Sequence, residues 1–142
     1  MITSKQAYAK FGDPSVNEGK HMVIWDVPTH LEIGAIPKRI YCNSLMIKPL
    51  WKAFDAVLEK NLHGQIKTWD GCFNIRRKRG AASSSLHSWG LAIDINAAWN
   101  GFGKKPTMSP ELVKCFTDNG FDWGGTWSKP DGMHLQLKEF PK

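Results

Sequence analysis

The run Leu91-Ala92-Ile93-Asp94-Ile95 reads as a strand, and it sets a carboxylate between two isoleucines. Burying that charge without a partner is costly, so a fold that keeps this strand must place a metal or a cation against Asp94. The residues just ahead supply one answer. His87 stands in Ser85-Leu86-His87-Ser88-Trp89-Gly90, an imidazole shortly before a turn glycine. Imidazole nitrogen and carboxylate oxygen both suit Zn2+, and a catalytic site takes three protein ligands while keeping a fourth position open. His134, on what reads as the last strand (Met133 to Leu137), is the candidate third ligand. Asp131 lies three residues earlier, where a turn could aim its carboxylate at a water attacking an amide carbonyl. A lone histidine in a loop is more often a surface or structural residue. The weight rests on the four together.

The rest of the chain reads as a small α+β domain. Its 142 residues suit a single domain, 1–142, and 42% hydrophobic with 23% charged residues is the composition of a globular chain, not a disordered one. Ser4 to Lys10 is expected to be a short helix ended by Gly12-Asp13-Pro14. Met22 to Val27 and Arg39 to Cys42 read as strands, the first stopped by Pro28. The clearest helix is Met46 to Leu62, where Met46, Leu50, Phe54, Val57, Leu58 and Leu62 recur at helical spacing and Ser44 can cap. Gln65 to Trp69 reads as a strand and Phe73 to Ser85 as an exposed loop. Ser109 caps a second amphipathic helix, Pro110 to Asp118, with Gly120 past its end. The expected architecture is a mixed or mainly antiparallel sheet flanked by helices, with the zinc site on the sheet.

Composition narrows the partners. A formal charge of +6 favours something anionic: a nucleic acid, a membrane surface or a bacterial envelope. Aromatic residues do not interleave with Arg76-Arg77-Lys78-Arg79, so nucleic-acid binding is not expected. No apolar run nears the roughly 20 residues of a membrane span, and the start lacks the apolar stretch of a secretory signal. Membrane insertion is therefore not expected. Cys42, Cys72 and Cys115 are odd in number and lack a CxxC pair, so they read as free or buried thiols. Trp123 and Trp127 flank Gly124-Gly125 and could wall a cleft, whereas Trp89 and Trp99 read as core. His21, His30 and His63 read as surface or structural. Ser83-Ser84-Ser85 lies beside His87, but the chain has no G-x-S-x-G elbow, which argues against a serine hydrolase.

Ser85 to Asp94 is similar at every fixed position to the S-x-H-x-x-G-x-A-x-D signature of the M15 metallopeptidases. Asp131-Gly132-Met133-His134 resembles the second half of that signature, an acid three residues before a histidine. Gly71-Cys72-Phe73-Asn74-Ile75-Arg76 and Phe11-Gly12-Asp13-Pro14 extend the resemblance, the latter toward phage-type members. The family includes D-alanyl-D-alanine dipeptidases and carboxypeptidases, and the L-alanyl-D-glutamate endopeptidases of phage lysis. The resemblance implies His87, Asp94 and His134 as zinc ligands and Asp131 as general base. It also implies Arg76 near the scissile bond, with Arg79 as its substitute, and Ser85 lining the site. Asp131 and Met133 replace the glutamate and tryptophan of the dipeptidases, which favours the endopeptidase branch. Gln136 stands where many relatives carry a glutamate. The expectation is a monomeric zinc endopeptidase of endolysin type, made in a host cytoplasm and acting on the peptide stem of peptidoglycan. A carboxypeptidase or dipeptidase removing terminal D-alanine, and a silent wall-binding domain with a structural zinc, remain as alternatives.

Overall fold

The computed structural model describes residues 1–78 and 83–141. It is an α+β fold built on two antiparallel sheets. Helices α1 (Ser4–Phe11) and α2 (Pro14–His21) lead into a two-stranded sheet of β1 (Met22–Asp26) and β2 (Arg39–Asn43). Helix α3 (Ile47–Glu59) follows, then β3 (Trp69–Gly71), β4 (Ala92–Ile95), α4 (Pro110–Thr117), β5 (Phe121–Trp123) and β6 (His134–Leu137). The second sheet has the order β3-β4-β6-β5. The expected mainly antiparallel sheet with flanking helices is thus what forms, although it is divided in two.

The core lies between the four-stranded sheet and helices α3 and α4. Leu50, Ala53, Phe54 and Val57 share the buried face of α3, as the helical spacing predicted. Phe54 meets Phe116 of α4 at 6.4 Å and Trp69 of β3 at 6.3 Å between ring centroids, while Phe116 meets Phe121 of β5. Fully burying a side chain of this kind contributes about 1.5–3 kcal/mol. This aromatic chain therefore ties both helices to the sheet that carries the site. The three cysteines are buried thiols. Burial pushes the Cys42 thiol up to about 12 and that of Cys72 well above its ordinary value. Both therefore behave as small core residues.

The amino-terminal helices buttress the turn that holds His87. Thr3 and Gln6 form a capping box on α1, and Gly12 ends the helix at φ 78°, a left-handed value that glycine adopts without strain. Trp89 lies fully buried, donates its indole N–H to the Gly12 carbonyl at 2.9 Å and packs edge-on against Tyr8. Trp89 is core as expected. Trp99 is not: it is 45% exposed, with the Lys67 ammonium 4.7 Å from its ring centroid.

Several elements differ from the sequence reading. Asp13 and Pro14 do not merely end α1; Asp13 caps α2 and Pro14 fills its first turn. Asn43, not Ser44, makes the capping bond ahead of α3, by accepting from the Leu45 N–H. Strand β5, only Phe121–Trp123, is too short for a period to be seen. Gln65–Trp69 is not a strand up to Trp69, where β3 begins. The buried side chain of Asn96 holds that segment instead, accepting from the N–H groups of Lys67 and Thr68 and donating to the Gln65 carbonyl. Asn96 itself sits at φ 53°, which asparagine tolerates better than most residues. Replacing Asn96 with alanine removes three hydrogen bonds to the part-buried backbone of Gln65, Lys67 and Thr68, each contributing about 0.5–1.5 kcal/mol. Denaturant unfolding should show Asn96→Ala destabilised by about 2–3 kcal/mol. A loss under about 0.5 kcal/mol would mean other contacts hold the 65–68 segment.

Candidate metal centre and active site

Strand pairing builds the site. Asp94 on β4 and His134 on β6 are direct cross-strand partners, so their side chains leave the same face of the sheet. His87 arrives from a 3-10 turn, Leu86–Trp89, that precedes β4. The Ser85 hydroxyl caps this turn by accepting from the His87 N–H at 3.2 Å. Gly90 closes it in the left-handed region at φ 65°, where a Cβ would sit 2.6 Å from Met22 and 2.7 Å from the Asn43 nitrogen. Only glycine fits that corner without displacing β1 and β2.

His87, Asp94 and His134 are all buried, and one ligand atom from each lies within 4.8 Å of the other two. His87 Nε2 is 3.2 Å from Asp94 Oδ2, and His134 Nδ1 is 3.6 Å from Asp94 Oδ1. A tetrahedral zinc ion with ligands at about 2.0–2.2 Å separates them by roughly 3.4 Å. Hydrogen bonding decides which nitrogens face inward. His87 Nδ1 lies 2.6 Å from the Cys72 carbonyl, which can only accept, so Nδ1 carries the proton. His134 Nε2 likewise donates to Gln136 Oε1 at 2.9 Å. The inward nitrogens, His87 Nε2 and His134 Nδ1, are buried and make no hydrogen bond. A metal requires both rings neutral, and in that state each presents a lone pair toward Asp94. Such an arrangement needs a cation between its members, and the donor set suits zinc.

Burial alone would raise the Asp94 carboxyl, but the side chains of His134 and His87 outweigh it and hold the group well below the usual carboxylate range. Asp94 is therefore ionised and ready to ligate. A further cation answers it: the Arg76 guanidinium lies 3.5 Å from Asp94 Oδ2. The backbone of Arg76 is clamped to the His87 turn. Its N–H donates to the Ser88 hydroxyl, and its carbonyl accepts from both Ser88 Oγ and the Ser85 N–H.

Asp131 is 3% exposed and begins the turn that the sequence suggested, its carbonyl accepting from the His134 N–H at 3.1 Å. Its Oδ2 is 4.0 Å from His134 Nδ1. Gly124 lets the chain pass close behind it, since a Cβ there would meet the Asp131 carbonyl oxygen at 2.5 Å. A hollow of about 330 Å3 opens in front, lined by Asp131, His134, Gln136, Ser85, Arg76 and Trp127 among others. A second hollow, also about 330 Å3, reaches His87 and Asp94 from the β3 side, past Gly71 and Ala97. Arg76 lines both. A third hollow, about 500 Å3, is lined by Trp123 and Trp127 and holds none of these polar groups.

The structure thus brings His87, Asp94, His134, Asp131, Arg76 and Ser85 to one place. Arg79 lies outside the described residues. Trp127 walls the site, with its ring centroid 5.3 Å from that of His134. Trp123 does not, and instead fixes the following turn through an indole bond to the Gly132 carbonyl. Sequence reasoning overlooked Ser88 and the Cys72 carbonyl, whose contributions are main-chain contacts that no motif encodes. It left Gln136 without a role, although the two-residue spacing from His134 on one strand face was visible.

Residues 79–137 match the M15 peptidase family model described as D-alanyl-D-alanine carboxypeptidase. That match makes this segment similar to the M15 peptidases. It contains His87, Asp94, Asp131 and His134 and leaves Arg76 just outside. No curated protein and no solved structure matches the chain. The Gln136 carboxamide fixes the orientation of the His134 ring through the 2.9 Å bond to Nε2. Gln136→Ala should therefore weaken zinc binding about 10–100-fold in competition with a chromophoric chelator. Affinity unchanged within a factor of two would show that packing alone orients His134.

Proposed function

We propose that this protein is a zinc-dependent peptidoglycan endopeptidase of endolysin type, cutting the stem peptide between L-alanine and D-glutamate at the cell wall. The reading rests on one observation above the others: a buried His-Asp-His set with Asp131 next to it, Asp131 and His134 lining one hollow and His87 and Asp94 lining a second. His87 Nε2, Asp94 and His134 Nδ1 would hold the ion. When bound, zinc supplies Lewis acidity, acidifying water and polarising a peptide carbonyl.

The chain's own residues do the rest. Asp131 accepts the proton of the attacking water and passes it to the leaving amide nitrogen, general acid–base work contributing about 10²–10⁴ in rate. Arg76, already aimed at the site from its clamp on the His87 turn, steadies the negative oxygen that develops on the carbonyl. Ser85 keeps the His87 turn in register and lines the substrate hollow. Trp127 excludes water from one side.

Asp131→Ala should keep one equivalent of zinc while lowering kcat by about 10²–10⁴. Retained turnover would sink the base assignment, whereas lost zinc would make Asp131 a ligand. The similarity to the D-alanyl-D-alanine carboxypeptidase family model favours a second reading, removal of a terminal D-alanine. Mass spectrometry of wall fragments digested by the zinc-loaded protein separates the two. New amino termini on D-glutamate, abolished by chelator, are expected; chelator-sensitive release of D-alanine would move the protein to the carboxypeptidase reading.

A further inference from the structure

We infer that Lys129 forms a carboxylate-binding subsite that selects an acidic residue on the leaving side of the scissile bond; this rests on the peptidase reading above. The leaving side follows from Asp131. A base that returns its proton to the leaving nitrogen must lie within about 3 Å of it. The residue after the cut bond therefore occupies the hollow containing Asp131, and the residue before it occupies the hollow on the β3 side. The latter is bordered by Gly71, Phe73 and Ala97.

The leaving-side hollow is cationic. Arg76, Lys78 and Lys129 line it, against the single acid Asp131. Arg76 is engaged with Asp94. Lys129 has no ion pair among the described residues, yet it is held in place. Its ammonium lies 4.9 Å from the centroid of the Phe102 ring, which lines the same hollow. Its stem passes over Gly103, where a Cβ would come 3.3 Å from Lys129 Cε, and the Gly103 N–H binds the Pro130 carbonyl at 2.7 Å. Two loops thus fix one lysine at the mouth of the hollow, and less side-chain freedom is lost when it binds. A carboxylate entering beside Asp131 would be repelled without such a cation. The ligand class is a peptide whose residue after the cut bond carries a free carboxylate.

Calorimetry on the zinc-loaded protein tests this with an uncleavable product-side peptide, γ-D-Glu-L-Lys-D-Ala, and its α-carboxamide counterpart. The carboxylate peptide should bind about five- to tenfold more tightly. Lys129→Ala should erase that difference and Lys129→Arg should restore it. Equal binding of the two peptides, a preference that survives Lys129→Ala, or no binding of either would overturn the subsite. Failure of the peptidase reading looks different: wall digests would show no new amino terminus while the Lys129-dependent preference remained. Cleavage without the preference would remove the subsite alone.

Discussion

Everything at this site depends on keeping the Asp94 carboxylate charged at 5% exposure. Left alone, such a group would take up a proton or destabilise the strand. The fold answers it with imidazole on two sides and a guanidinium on a third. The three answers come from different places: His134 by strand pairing, His87 by a capped turn, Arg76 by the backbone clamp to Ser85 and Ser88. Losing any one leaves a buried charge less compensated, so the site's geometry and the stability of the sheet are coupled.

That coupling explains why apparently remote parts of the chain bear on the site. The indole of Trp89 reaches back to Gly12, so α1 supports the turn of His87. Gly90 brings the same turn against Met22 and Asn43 with no room for a side chain. On the other side, Gly124 and Gly132 admit the Asp131 turn where a Cβ would strike the Asp131 carbonyl oxygen or Asn100. The result is a constellation held by main-chain geometry on several elements, which favours preorganisation over adjustment on binding.

Much of this was legible in the sequence because the informative signals are local. An aspartate between isoleucines, a histidine before a turn glycine and an acid three residues before a histidine are each short-range patterns. The periodic faces of α3 and α4 are local too. What escaped is what tertiary contact decides. Residues 65–68 have strand-like composition, but Asn96 supplies their backbone partners, and a side chain some thirty positions away leaves no mark on their periodicity. Trp99 has the composition of a core residue and lies half-exposed beside Lys67. The capping choice between Asn43 and Ser44 turns on a single residue of register, finer than periodicity resolves.

Gln136 carries the argument one step further. This chain sets a neutral amide behind His134. An anion in that position would push electron density onto the imidazole and add a negative charge near the site. The amide fixes the same tautomer without adding that charge. With Asp94 the only anion among the three candidate ligands, any divalent cation held there keeps a net positive charge. With a divalent cation bound, the centre, Arg76 beside it and Lys129 lining the hollow would form a field of one sign, interrupted among the described lining residues by Asp131. On the proposed function, such a field would draw in an anionic peptide and leave one carboxylate placed to move protons.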